Sequence, residues 1–205
     1  VEILNLSNEF VVASFGYEKY LSIEGAKDIL GFTFKYREDP ILLDPRSKLL
    51  GARIIINLEK LYLTLKKLEL KDDKIENYYS QSHKLGIVPK GLNKLQNKLF
   101  GIESNFEELN GVDFKKGCYV GQENTARIKL KNKLSKRLLP IQLIDGKLSI
   151  DEKIYSNNRE IGKILIEDKY PFALIRFLDD NFNSNQLFKT KNASFKILIP
   201  SWLKI

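Results

Sequence analysis

The chain has one cysteine, one histidine, no methionine and only 6 prolines in 205 residues. A single cysteine excludes an internal disulfide framework, so the thiol is either a small apolar filler or a reactive group, and a reducing compartment suits it best. A single histidine is too few for a histidine-based metal site or a paired proton shuttle, and His83 reads as an ordinary helix residue. No apolar run reaches the length of about 18 residues that a membrane-spanning helix needs. The start, Val-Glu-Ile-Leu-Asn-Leu-Ser, has neither the basic region and small-residue cleavage site of a secretory signal nor the Arg/Ser-rich character of a transit peptide. A cytoplasmic protein is expected. Beginning at Val1 as if inside a strand, the chain reads as an incomplete record of a longer protein.

What is present is enough for a core: 43% apolar and 29% charged residues describe a soluble globular protein that folds without disulfides or metals. The net charge of +8 admits contact with phosphates or with the anionic tail of a cofactor. Against that, the lysines alternate with acids in stretches such as Lys66-Lys67-Leu68-Glu69-Leu70-Lys71-Asp72-Asp73, which reads as solvated surface. DNA and membrane partners are not expected, and RNA contact has no motif behind it.

Val1–Leu6 and Phe10–Phe15 are β-branched runs around Ser7-Asn8-Glu9, the pattern of a hairpin or of neighbouring strands. Ile41-Leu42-Leu43 runs into the turn Asp44-Pro45-Arg46, and Gly51–Ile56 is a further strand. Leu58, Leu61, Leu65 and Leu68 recur at helical spacing, and Lys74–Leu85 predicts a second helix ending near Gly86. Ser104-Asn105-Phe106-Glu107 has the form of a capping box and predicts a short helix from Ser104 to about Gly111. From about Leu138 the pattern turns to short strands, Leu139–Leu143, Lys147–Ile150, Glu160–Ile166, Phe172–Phe177 and Ser194–Ile199, separated by Asp-Gly, Asn-Asn and Asp-Asp. The expected fold is α+β: a ferredoxin-like sheet-and-helix portion over 1–137, then a small six-stranded β-barrel over 138–205.

One stretch concentrates residues that do chemistry. In Lys115-Lys116-Gly117-Cys118-Tyr119-Val120-Gly121-Gln122-Glu123, the glycines permit positive φ or close backbone approach, the tyrosine offers a stacking face, and Gln122 and Glu123 supply hydrogen-bonding groups. Such a turn suits a flat polar heterocycle. A helix starting near Gly121, with the two lysines, would favour the thiolate of Cys118. The run Arg127, Lys129, Lys131, Lys133, Lys136 and Arg137 fits an anionic cofactor tail, RNA phosphates or a solvated face alike. Asp44 and Arg46 read as a structural turn pair.

Lys116-Gly117-Cys118-Tyr119-Val120-Gly121-Gln122-Glu123 resembles the K-G-C-[YF]-x-G-Q-E signature of the YgfZ-type folate-binding family, relatives of the glycine-cleavage T-protein. Gly86-Ile87-Val88-Pro89, Glu103-Ser104-Asn105, Asn110–Phe114, Arg127, Lys136-Arg137, Glu160-Ile161-Gly162, Phe172–Arg176, Pro200-Ser201-Trp202 and Asp44-Pro45-Arg46 also resemble family segments, so the likeness covers about residues 40–205. The family's opening segment has no counterpart here, and the helix before Gly86 lacks the carboxylate that many relatives carry. The resemblance implies a T-protein-like architecture and an auxiliary factor for iron–sulfur protein assembly or repair, with indirect effects on tRNA modification. It also implies tetrahydrofolate as cofactor and iron–sulfur client or assembly proteins as partners. Cys118 is then the working residue, and Lys116, Gly117, Tyr119, Gly121, Gln122, Glu123 and Arg127 the folate-binding set. A folate-dependent aminomethyltransferase-like enzyme and a basic RNA-contacting module are the alternatives.

Overall fold

In a computed structural model of the chain, the structure describes residues 3–118, 120, 123, 125–127, 135–156, 159–176 and 186–203. They divide into two compact units, Val1–Tyr78 and Tyr79–Ile205.

The first unit is a four-stranded antiparallel sheet with helices. Its strands are β1 (Phe10–Phe15), β2 (Thr33–Tyr36), β3 (Asp39–Leu43) and β4 (Ala52–Asn57), in the spatial order β1-β4-β3-β2. Alternation decides which face is buried. Ala52, Ile54 and Ile56 of β4 and Ile41 and Leu43 of β3 turn toward Tyr20 of helix α1 (Tyr17–Leu21) and toward Leu68, just beyond helix α2 (Leu58–Lys67). The Asn57 side chain caps α2 by accepting from the Glu59 N–H at 2.9 Å, and Leu61 packs on the core. Helix α3 (Ile75–Lys84) follows.

Two expectations change here. Residues 3–6 are not a strand; the Leu6 carbonyl instead accepts from Glu9 and Phe10, forming a turn into β1, whose partner is the distant β4. The hairpin β2–β3 went unseen because its turn is Arg37-Glu38, both at positive φ (50° and 75°), where the usual sequence signal is Asn-Gly.

The second unit contains a closed barrel of β5 (Lys136–Gly146), β6 (Lys153–Ser156), β7 (Arg159–Ile166), β8 (Phe172–Arg176), β9 (Phe188–Lys189) and β10 (Ala193–Ile197), ordered β10-β5-β8-β7-β6-β9. Leu139, Ile141, Ile154, Ile164, Ile175, Phe188 and Phe195 fill it. Neighbouring Leu138, Leu165, Phe172 and Leu174 belong to a second cluster, with Leu95, Val88 and Leu99. Adjacent residues of one strand are thus buried on opposite faces, which explains the unbroken apolar runs in β5, β7 and β8. A Cβ on Gly162 would lie 2.2 Å from the Leu174 carbonyl oxygen, so only glycine lets β7 approach β8 this closely.

Lys147–Ile150 is not a strand. The chain there turns through Asp151, at φ 61°, and the strand is Lys153–Ser156 instead. The helix expected from Ser104 is a series of hydrogen-bonded turns. Asn105 and Asn110 take positive φ (65° and 56°), which no α-helix tolerates in its interior.

Candidate functional site

The Cys118 segment begins in a turn at Asp113, whose Oδ1 accepts from the Lys115 N–H at 2.8 Å. Beyond it Lys115, Lys116, Gly117 and Cys118 are all exposed, and the thiol is free. A Cβ on Gly117 would meet nothing within 4 Å, and its φ is not positive. Neither packing against the described residues nor backbone strain therefore demands glycine there. Val120 is fully exposed; Glu123 and Arg127 are exposed and helical, and Thr125 and Ala126 are helical and half-buried. A helix following the cysteine was expected. Tyr119, Gly121 and Gln122, the rest of the expected set, lie outside the described residues.

The turns before this segment and the strand after it are joined by a polar network that sequence reasoning located only in pieces. Asn105, fully buried, donates from Nδ2 to the Leu138 carbonyl at 2.8 Å and accepts on Oδ1 from Arg137 at 3.3 Å. Arg137 also pairs with Glu108 at 2.6 Å, and the Leu138 N–H donates to the Glu103 carbonyl at 2.8 Å. Glu103 and Asn105 come from one family-like segment and Arg137 from another. Glu108 carried no sequence signal. Among the described residues its Oε2 is buried without a hydrogen-bond partner.

In the first unit, Asp44 is the centre of the turn pair. Fully buried, it accepts from the Arg46 N–H (3.0 Å), Nε (3.0 Å) and Nη2 (2.8 Å), and Arg53 Nη2 lies 2.9 Å away. The Tyr78 hydroxyl accepts from both guanidiniums at 3.1 and 3.0 Å. Burial pushes the Asp44 carboxyl up, but the bonds from Arg46 and the charges of both arginines outweigh it and hold the group below its usual range. The structural reading of Asp44 and Arg46 stands, with Arg53 and Tyr78 added.

His83 does more than occupy a helix. Its Nε2–H donates to the Pro171 carbonyl at 2.9 Å, and its ring meets Phe172 edge-on with centroids 5.2 Å apart. Burial lowers its pKa, partly opposed by that hydrogen bond. Among the described residues there is no group of three metal-ligating side chains, and no helix long and apolar enough to cross a membrane.

No protein-family model matches the chain. Over 145 residues, 69% of its length, it is 31% identical to the mitochondrial iron–sulfur cluster assembly factor IBA57 homolog of Dictyostelium discoideum. A stretch of that length must include the middle of the chain, and Cys118 with it. The corresponding protein of Neurospora crassa is 37% identical over 98 residues (47% of this chain, 22% of that protein) and the human IBA57 43% over 68 (33% and 19%). The chain is a homologue of the YgfZ-type iron–sulfur cluster assembly factors. Its match spans about a third of the Dictyostelium protein's length (34%) and less of the others. Among solved structures, the glycine cleavage system aminomethyltransferase T of Bartonella henselae superposes with a TM-score of 0.48 at 9% identity, covering 87% of this chain and 55% of that one.

In donor chemistry the described residues fit the folate that the family resemblance implies. A pterin edge offers N–H donors, and Glu123 is an exposed carboxylate of the kind that accepts them. Lys116 and Arg127, both exposed, have the charge for an anionic tail.

Proposed function

We propose that this chain is part of an auxiliary factor for the assembly or repair of iron–sulfur proteins, working through the thiol of Cys118. The observation that supports the reading is an exposed sole cysteine inside the stretch shared with cluster assembly factors. A thiolate at the surface can ligate iron or react with a partner's sulfur, whereas a buried one is inert. One thiol supplies one ligand, so a cluster handled here takes its remaining ligands from outside this chain. Iron–sulfur client and assembly proteins are the proposed partners, and tRNA modification responds indirectly through clients.

The proposed cofactor is tetrahydrofolate, held by Glu123 at the pterin edge and by Lys116 and Arg127 at the tail, with Gly117, Tyr119, Gly121 and Gln122 completing the site. When bound it supplies nitrogens that accept a one-carbon unit. Cys118 stands at the rim, with no part in holding the ring. The relatives' names place those proteins in mitochondria; for this chain the reading is a reducing compartment, the cytoplasm, to be checked by fractionation.

Titration with tetrahydrofolate tests the ligand. Saturable binding is expected, weaker by about 1.5–3 kcal/mol in Glu123→Gln, the range for a hydrogen bond to a charged group, and unaltered in Cys118→Ala. Equal affinity of wild type and Glu123→Gln removes Glu123 from the site. Steeply salt-dependent RNA binding with no folate binding replaces the reading with the RNA-contacting one.

A further inference from the structure

The stretch that carries Cys118 is tied together at its two ends. On the near side stand Glu103, Asn105 and Glu108, and on the far side Arg137 and Leu138 at the start of β5. Joining them are Leu138 N–H to Glu103 O (2.8 Å), Asn105 Nδ2 to Leu138 O (2.8 Å), Arg137 Nη1 to Asn105 Oδ1 (3.3 Å) and Arg137 Nη2 to Glu108 Oε1 (2.6 Å).

Stability alone does not explain this choice of residues. Asn105 is fully buried and sits at φ 65°, a conformation that asparagine tolerates and most side chains do not. The side chains of Arg137 and Glu108 keep only 17% and 23% of their exposure, so both charges lose much of their hydration. A buried ion pair roughly breaks even against an apolar pair of the same volume, and Glu108 Oε2, unpartnered among the described residues, is a further penalty. By that balance the Arg137–Glu108 pair holds the strand to the turn about as firmly as two apolar residues of the same volume. What the polar set adds is direction: the amide of Asn105 donates and accepts at fixed angles, and the guanidinium engages two acceptors at once.

We infer that Asn105, Glu108 and Arg137 are positioning residues, a clasp that closes the base of the Cys118 segment and sets where the thiol stands relative to the barrel. The importance of that placement rests on the assembly reading above; the clasp itself does not.

Because Cys118 is the sole cysteine, a nitroxide can be attached to the otherwise unaltered chain and its broadening of barrel amide resonances recorded. The label should broaden one contiguous set of barrel amides in the wild type. Arg137→Gln and Glu108→Gln should lose that pattern while amide exchange in the barrel interior is unchanged, and Arg137→Lys should keep part of it. If Arg137→Gln also loosens the barrel, Glu108→Gln, which leaves the arginine in place, decides. A wild-type pattern retained in Glu108→Gln overturns the clasp. Activation of an iron–sulfur client by the same proteins without the label, their thiol free, separates the two ideas: pattern lost, with client activity equal in wild type and variants, sinks the assembly reading and leaves the clasp standing.

Discussion

The indole Nε1–H of Trp202 donates to the backbone carbonyl of Leu85 at 2.8 Å, across 117 residues of chain. Gly86, the next residue, has φ 72°, and a Cβ there would come within 2.6 Å of Pro200 Cγ and 3.0 Å of the Trp202 ring. The Gly-Ile-Val-Pro and Pro-Ser-Trp segments, both legible as family-like, are therefore two halves of one contact. Gly86→Ala combines a left-handed backbone with overpacking and should destabilise by at least about 1–3 kcal/mol. Trp202→Phe removes only the donor and should cost about 0.5–1.5 kcal/mol. Urea unfolding of both variants checks the ranking; a Gly86→Ala protein as stable as wild type contradicts it.

Asp44 makes the first unit sensitive to acid. Its folded pKa lies below the ordinary 3.8, so its stabilisation is fully present above that value and is lost as the pH falls through the lower folded one. Asp44→Asn leaves two guanidiniums beside a neutral amide and should cost about 3–5 kcal/mol at neutral pH, the range for breaking a buried pair. Denaturant unfolding with a probe in the sheet measures it. A loss under about 1 kcal/mol would place the pair with exposed ones.

His83 acts at milder pH. Because its folded pKa is below 6.5, the unfolded chain binds more protons there. Stability is complete above 6.5 and declines as the pH drops below it, until the folded value is passed. Thermal unfolding from about pH 7.5 down to about pH 5 should show this slope in wild type and a shallower one in His83→Leu. Identical slopes would remove His83 as the cause.

β5, β7, β8 and β10 were readable because each carries an apolar run bounded by turn residues, whereas β6 (Lys-Ile-Tyr-Ser) and the two-residue β9 (Phe-Lys) are too short to give that pattern. What escaped reading was decided by distant partners. Ser104-Asn105-Phe106-Glu107 has a helix-capping pattern, but the Asn105 amide is committed to Leu138 and Arg137, and the turn wins over the helix. Arg37-Glu38 makes a tight hairpin turn from residues that give no local sign of one. At the candidate site, residue type and family likeness single out Cys118 and its neighbours. The Glu108–Arg137 pair was not, because a carboxylate next to Glu107 looks like surface until β5 is folded beside it.

The most direct test is Cys118→Ala. The thiol is exposed, so the substitution should leave stability within about 0.5 kcal/mol, and thermal unfolding verifies this. The measurement is the activity of iron–sulfur enzymes in cells that depend on the protein, complemented with wild type or with Cys118→Ala at equal abundance. Wild type should restore that activity and Cys118→Ala should not. Full restoration by Cys118→Ala would contradict the working role of the thiol.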